Sequence, residues 1–336
     1  MERVAIVVLN WNGIADTLDC IDSLRQQTYK PFTIVIVDNG SNDNSCDLLD
    51  NYNRGHDNSI QIIHNTKNLG FTGGVNTGIK WAIKNGYDYV ALFNNDAIAD
   101  KKWLQELVDA IKSKEIGITT GLLLLGDGKE IDCTGEQYSN WGLPFPRDRN
   151  HKKNKASSGG LVFGASGGAS LYKIKMLNEI GLFDESFFAY YEDVDISFRA
   201  QLAGWKVAYT PKAIAYHKQG ATADKISGFA VYQTFKNLPL LYIKNVPRGL
   251  LFQVGIRIKF AYWLMFAKAI IKGDGVSAMK GMSMSIVLAI RKLGERHSIQ
   301  NNKKVTTEYI QNILWKDLPP EQTGLRKLRR FFTGKC

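Results

Sequence analysis

Val4-Ala5-Ile6-Val7-Val8-Leu9 and Thr33-Ile34-Val35-Ile36-Val37 are β-branched runs that are apolar at successive positions. Strands covered on both faces of a parallel sheet read this way, whereas a half-exposed strand alternates. Between them Leu18, Ile21 and Leu24 recur at helical spacing, and Ser41-Asn42-Asp43 offers a cap for a second helix carrying Leu48 and Leu49. Ile60 to Ile63 reads as a third strand. Asn68-Leu69-Gly70-Phe71-Thr72-Gly73-Gly74 then leads into a helix bearing Val75, Ile79, Ala82 and Ile83, which Gly86 ends. Tyr89 to Phe93 is a fourth strand, and Asp100 caps a helix with Trp103, Leu104, Leu107 and Ile111 on one face. Strands alternating with helices over the first 115 residues predict an α/β fold, a mostly parallel, Rossmann-like sheet flanked by helices. In such sheets ligands bind beyond the carboxyl ends of the strands.

Past this point the pattern loosens. Asp127 to Ser158 is rich in Gly, Pro, Lys and Asn and reads as a long loop, a candidate mobile flap. Regular structure returns with Leu161 to Ile174, an acidic helix near Asp193 ended by Gly204, and a last core strand from Lys206 to Tyr209.

The 336 residues allow a full α/β core plus an appendage. The net charge of +11 is uneven: residues 226–336 hold 19 Lys and Arg against 5 Asp and Glu (+14), leaving 24 against 27 (−3) for residues 1–225. The division expected is a catalytic domain over 1–225 and a basic amphipathic helical region over 226–336 that meets an anionic surface. Apolar stretches such as Phe260 to Ala267 are interrupted by Arg257, Lys259, Lys268 and Lys272, and near the end Leu325, Leu328, Phe331 and Phe332 alternate with Arg326, Lys327, Arg329 and Arg330. Aromatic faces with cationic edges suit the interface of an anionic membrane, against the plainer reading of a packed helical domain with solvated lysines. No charge-free stretch reaches the ~20 residues that span a bilayer, so peripheral attachment rather than crossing is expected. Val4 to Leu9 is too short for a signal peptide, and Cys20, Cys46, Cys133 and Cys336 form no paired motif, so a cytoplasmic home at the inner face of the membrane is expected. No nucleic-acid-binding fold is recognised. Association with a second copy of the chain stays open.

Polar groups at the strand ends are the site candidates. Asp38, closing the second strand, could accept hydrogen bonds from a base or ribose, or could simply form a turn and cap. The glycines of 68–76 could bring backbone close to a nucleotide, or close to a packed helix; they match neither the dinucleotide fingerprint nor a phosphate loop. Asp96 in Asn94-Asn95-Asp96 follows a buried strand, a rigid support for a carboxylate that could hold Mg²⁺ or Mn²⁺ with help from a diphosphate. Glu192, Asp193 and Asp195 exceed what helix capping requires and stand beside Tyr190 and Tyr191, as a general base would; the helix dipole lowers their pKa and an apolar wall raises it. His217 is either structural or a partner for Asp96 at a metal.

Five motifs in order, Val7-Val8-Leu9-Asn10-Trp11-Asn12, Val37-Asp38-Asn39-Gly40-Ser41, Asn68-Leu69-Gly70-Phe71, Phe93-Asn94-Asn95-Asp96 and Tyr191-Glu192-Asp193-Val194-Asp195, resemble the inverting GT-A glycosyltransferases of family 2, particularly their rhamnosyltransferase-like branch. The resemblance covers residues 3 to 220. It implies that Asn10 and Asp38 hold the base and ribose of a nucleoside-diphosphate sugar, and that Asn68, Gly70, Asn76 and Asn95 line its pocket. It implies also that Asp96 and His217 bind the metal, that Asp193 is the base, and that Glu192 binds sugar hydroxyls. Asn94 stands where the family's metal motif often has an acid. The donor implied is rhamnose on a thymidine diphosphate, with uridine diphosphate sugars behind it. The acceptor implied is a glycan or polyprenyl-diphosphate-linked glycan in bacterial cell-surface polysaccharide synthesis, such as O-antigen or cell wall. The competing functions are a sugar-nucleotide nucleotidyltransferase and a catalytically silent binding module. The first would want a basic glycine-rich loop after the first strand, where Asn10-Trp11-Asn12-Gly13 has no cation.

Overall fold

The computed structural model describes residues 2–56, 59–218, 226–320, 322 and 324. The expected alternation is present: β1 (Val4–Asn10), α1 (Ile14–Arg25), β2 (Phe32–Asp38), α2 (Ser45–Gly55), β3 (Gln61–His64), α3 (Gly70–Lys84), β4 (Tyr89–Asn94), β5 (Ala97–Ala99), α4 (Trp103–Ile111) and β6 (Ile116–Leu125). There follow β7 (Ile131–Cys133), β8 (Glu136–Tyr138), β9 (Pro144–Pro146), β10 (Gly160–Val162), β11 (Ala169–Lys173), α5 (Ile174–Ile180), α6 (Glu192–Leu202) and β12 (Lys206–His217). Four more helices complete the described chain: α7 (Phe229–Asn245), α8 (Leu251–Ile271), α9 (Gly275–Asn301) and α10 (Thr307–Ile313).

The main sheet runs β10-β12-β6-β11-β4-β1-β2-β3. β3, β2, β1 and β4 are parallel, while β11 inserts antiparallel between β4 and β6. The unbroken apolar character of β1 and β2 follows from burial on both faces. Ile6, Val8, Ile34 and Ile36 pack on α1 and α4, and Ala5, Val7, Val35 and Val37 pack under α3. α3 lies so close to the sheet that a Cβ on Gly74 or Gly78 would stand 2.3 Å from a Leu9 methyl or 2.5 Å from a Val7 methyl. Part of the glycine-rich bend therefore serves helix packing.

Two expectations are corrected. The segment 127–158 is not a loose flap: Asp132, Thr134, Tyr138 and Leu143 are buried in it. It folds back on itself through Thr134 N–H to Arg147 C=O and Arg147 N–H to Gly135 C=O, and Asp148 and Asn150 take positive φ at the reversal. β12 does not stop at Tyr209. Pro211, which has no N–H, interrupts the register, and the strand resumes from Ile214 beside β6 and β5. The helical stretch 248–271, which contains α8, is by length and composition apolar enough to cross a bilayer, with mean hydropathy 1.3. α8 reaches its length with Arg257, Lys259 and Lys268 scattered along it.

α7 is embedded against the sheet domain. Phe235, Lys236, Asn237, Leu240, Leu241, Lys244 and Asn245 are all buried. Lys244 and Lys292 meet Asp184, Asp195 and Glu295 in an ionic cluster, buried except at Glu295, that joins α6, α7 and α9. The outer faces of α8 and α9 instead expose Phe252, Ile256, Trp263, Ile271, Ile286 and Ile290. The stretch Leu325 to Arg330 with Phe331 and Phe332, read as part of a membrane anchor, lies outside the described residues.

Candidate active site

A cavity of about 940 Å³ opens at the carboxyl ends of β1 and β4 and runs to the start of α6, and both Asp96 and Asp193 line it. Two features of the fold bring these residues together across the sequence. β5 pairs antiparallel with β12 so that His217 stands opposite Ala97, beside Asp96. Asp193 is fixed by backbone amides: its Oδ2 accepts from Gly167 N–H at 3.0 Å and its Oδ1 from Val194 N–H at 2.8 Å.

His217 bridges two carboxylates. Its Nε2 lies 3.1 Å from Asp96 Oδ1 and its Nδ1 2.7 Å from Asp132 Oδ2. Burial disfavours the imidazolium, but the bonds to Asp132 and Asp96 outweigh it and raise the His217 pKa to about 9. Asp132 is buried, and its pKa is lowered against the pull of burial by His217 and by Arg149. Arg149 donates from Nη2 to Asp132 Oδ1 and from Nε to the Asp132 carbonyl at 3.1 Å.

The other end of the cavity behaves oppositely. Glu192 is buried, its Oε2 has no partner among the described residues, and burial followed by the charge of Asp193 pushes its pKa up to about 8. Burial also raises the pKa of Asp193, against the amides that hold it. Glu136 lines the same wall, and burial, with Asp193 next, raises it well above the carboxylate range. The helix dipole thus loses to desolvation at Glu192 and Asp193. The turn that carries these residues is strained: Phe188, Tyr190 and Tyr191 have φ of 62°, 68° and 70°. Asn237 holds it from α7, its Nδ2 donating to the carbonyls of Phe187, Ala189 and Tyr190 at 2.8 to 3.0 Å.

The remaining candidates divide. Asn68, Gly70 and Asn95 line the cavity. Gly70 has φ +72°, and a Cβ there would stand 2.5 Å from Phe188. Asn10 and Asp38 do not line it: both are fully buried, Asn10 Nδ2 donates to Asp38 Oδ1 at 2.7 Å, and Asp38 also accepts from Ser41. Their neighbours Trp11 and Asn39 form the wall instead. Asn76 is a strut, bonded through both amide atoms to Phe183 and also to Glu185. Asp132, Glu136 and Arg149 escaped the sequence reading because three-residue strands inside a polar segment show no period.

Two groups of donors could hold a cation. Asp96 and His217 present a carboxylate oxygen and an imidazole nitrogen side by side, with Asp132 behind the imidazole as metal-bound histidines commonly have. This pair leaves room for the oxygens of a ligand and fits a divalent ion. Asp38, Cys46 and His64 also place ligand atoms within 4.8 Å of one another, at the ends of β2 and β3. There Asp38 is engaged by Asn10 and Ser41, and His64 faces Asp50 at 3.4 Å.

A mixed sheet with this order, flanked by helices and carrying its cavity at the strand ends, defines a GT-A-type fold. The crystal structure of GalNAc-T7 with UDP, GalNAc and Mn²⁺ superposes with a TM-score of 0.59 at 17% identity, over 73% of this chain and 48% of that one. Residues 5–181 match the family described as Glycosyl transferase family 2, and the chain belongs to that family. Among relatives, the poly-β-1,6-N-acetyl-D-glucosamine synthase of Staphylococcus epidermidis is 23% identical over 217 residues, 64% of this chain. The chain spans 50% of that protein's length. The low-salt glycan biosynthesis hexosyltransferase Agl10 of Haloferax volcanii is 23% identical over 259 residues, 74% of this chain and 79% of Agl10. The chain thus carries a glycosyl transferase family 2 domain and is similar to polysaccharide synthases and glycan hexosyltransferases.

Proposed function

We propose that the protein transfers a sugar from a nucleoside diphosphate to a hydroxyl of a glycan or polyprenyl-diphosphate-linked glycan, with inversion at the anomeric carbon. The observation that carries this reading is the single cavity that joins Asp96 and His217 to Asp193. Asp193 takes the proton of the acceptor hydroxyl. The acceptor oxygen forms its bond to the anomeric carbon as the bond to the diphosphate oxygen breaks, and the nucleoside diphosphate leaves with the electron pair. Burial favours this base, because a carboxylate with a raised pKa accepts a proton more readily. Glu192 binds a sugar hydroxyl. Asn68 and Asn95, with Trp11 and Asn39, form the nucleotide side of the cavity. Asp96 and His217 hold Mg²⁺ or Mn²⁺, which when bound supplies Lewis-acid stabilisation of the leaving diphosphate. Asp132 orients His217 so that Nε2 faces Asp96.

The donor follows the resemblance to rhamnosyltransferases, rhamnose on thymidine diphosphate. A second reading, an N-acetylhexosamine on uridine diphosphate, is favoured by the names of the Staphylococcus relative and of the GalNAc-T7 complex. The exposed apolar faces of α8 and α9, edged by Lys259, Lys268, Lys272, Lys280 and Arg291, suit attachment to an anionic membrane at its cytoplasmic side. A thermal-shift panel of nucleoside diphosphates with and without Mn²⁺ tests the donor site. A stabilisation by at least one of them, larger with Mn²⁺, is expected; no response to any would sink the reading. The anomeric configuration of the product, read by NMR, tests inversion.

A further inference from the structure

We propose that Arg149 is a phosphate-binding residue that grips the leaving diphosphate directly, with Asp132 as its positioning residue; this rests on the donor-site reading above. Asp132 is 2% exposed, and its two carboxylate oxygens go to different partners, Oδ1 to Arg149 and Oδ2 to His217. Arg149 is thereby fixed on the same buried anchor as the residue beside Asp96. Its Nε and Nη2 are spent on Asp132, while Nη1 has no hydrogen-bond partner among the described residues. Arg149 lines the cavity, and its side chain is 40% exposed. A guanidinium locked along one edge and open along the other is pre-organised to donate to a phosphate oxygen.

Charge supplies the reason. The turn after β4 carries one carboxylate, Asp96, because Asn94 and Asn95 are neutral. With a divalent ion and a neutral His217, the formal charge of this end is Asp96 (−1), Asp132 (−1), Arg149 (+1) and the ion (+2), a sum of +1. Without Arg149 the sum is 0. The arginine therefore makes this end of the cavity net positive toward a departing diphosphate, and a nucleoside monophosphate, lacking the second phosphate, gains less from it.

The test compares UDP and TDP with UMP and TMP by calorimetry in Mn²⁺, for the wild type, Arg149→Ala and Arg149→Lys. In Arg149→Ala the affinity for the diphosphate that binds best falls about 10- to 100-fold, the range for a lost hydrogen bond to a charged group, while the matching monophosphate loses less than about threefold. Arg149→Lys keeps the ion pair with Asp132 but spends its ammonium there, so it too loses preference for the diphosphate. It decides the matter if the alanine variant fails to fold. Equal losses for both nucleotides, or no loss, would overturn the role of Arg149. A wild type that binds none of the four would overturn the donor site itself, and this proposal with it.

Discussion

The two ends of the cavity treat buried carboxylates in opposite ways. At the β4 end Asp96 and Asp132 share His217, and Asp132 also holds Arg149, so its pKa falls although burial pulls the other way. At the α6 end Glu192 and Glu136 are buried and Asp193 is half-buried, yet they have amides, a thiol or nothing at hydrogen-bond distance, and their pKa values rise. Asp195, two residues beyond Asp193 on the same helix, repeats the first pattern because Lys244 and Arg199 offset its burial. Desolvation sets the default, and a cation in contact reverses it. One end is suited to hold an anion and its counter-ion, the other to hold a proton.

Removing the proton acceptor should have the largest effect. Asp193→Asn is expected to lower kcat by about 10²- to 10⁴-fold, the usual share of a general base, and to leave the thermal shift by nucleoside diphosphate intact. Loss of donor binding in parallel with turnover would place Asp193 among the donor contacts and dissolve the contrast between the two ends. Asp132→Asn attacks the other side. It leaves two buried or half-buried cations without their shared anion, and breaking a buried pair costs about 3 to 5 kcal/mol. A denaturant midpoint that barely moves would mean that Asp132 does not anchor this end.

His217 gives the contrast a pH signature in metal-free protein. Its folded pKa of about 9 lies above the ordinary 6.5 of a histidine. The stabilisation is therefore full below pH 6.5 and is lost as pH rises through about 9. At ~1.4 kcal/mol per pH unit the window is worth about 3 kcal/mol. The stability gap between wild type and His217→Gln, measured by urea titration, should close between pH 6.5 and 9.5. A gap that is constant over that range would show that His217 is neutral when folded. Because a metal ligand must be deprotonated, the Mn²⁺-induced thermal shift should grow over the same range.

Legibility in the sequence followed length and period. β1, β2 and β4 announce themselves because both faces are buried, and Asp96 and Asp193 stand out as acids directly after apolar or aromatic runs. His217 is harder, since its place depends on β12 resuming after Pro211 and pairing with the three-residue β5. Asp132, Glu136 and Arg149 come from a segment too irregular to show a pattern, and the three-carbonyl grip of Asn237 depends on how α7 docks. At the end of a strand, adjacent residues face opposite sides, so a motif such as Asn10-Trp11 or Asp38-Asn39 identifies the strand end without saying which neighbour looks into the cavity. Asn10 and Asp38 turn inward to each other, and Trp11 and Asn39 line the cleft.

The smallest expected effect isolates burial together with the neighbouring Asp193 charge, because it removes a charge without removing a hydrogen-bonded cation. Glu192 has a folded pKa of about 8 against the ordinary 4.5. At pH 4 both states are protonated and folding costs nothing in ionisation. At pH 6 the unfolded chain is ionised and the folded one is protonated, so folding must take up a proton at a cost of about 2 kcal/mol. Glu192→Gln escapes that cost with nearly the same shape. It should match the wild type at pH 4 and be up to about 2 kcal/mol more stable at pH 6, by urea titration. If instead the glutamine variant is less stable at pH 6, Glu192 has a cation partner in solution, and the two ends of the cavity are alike.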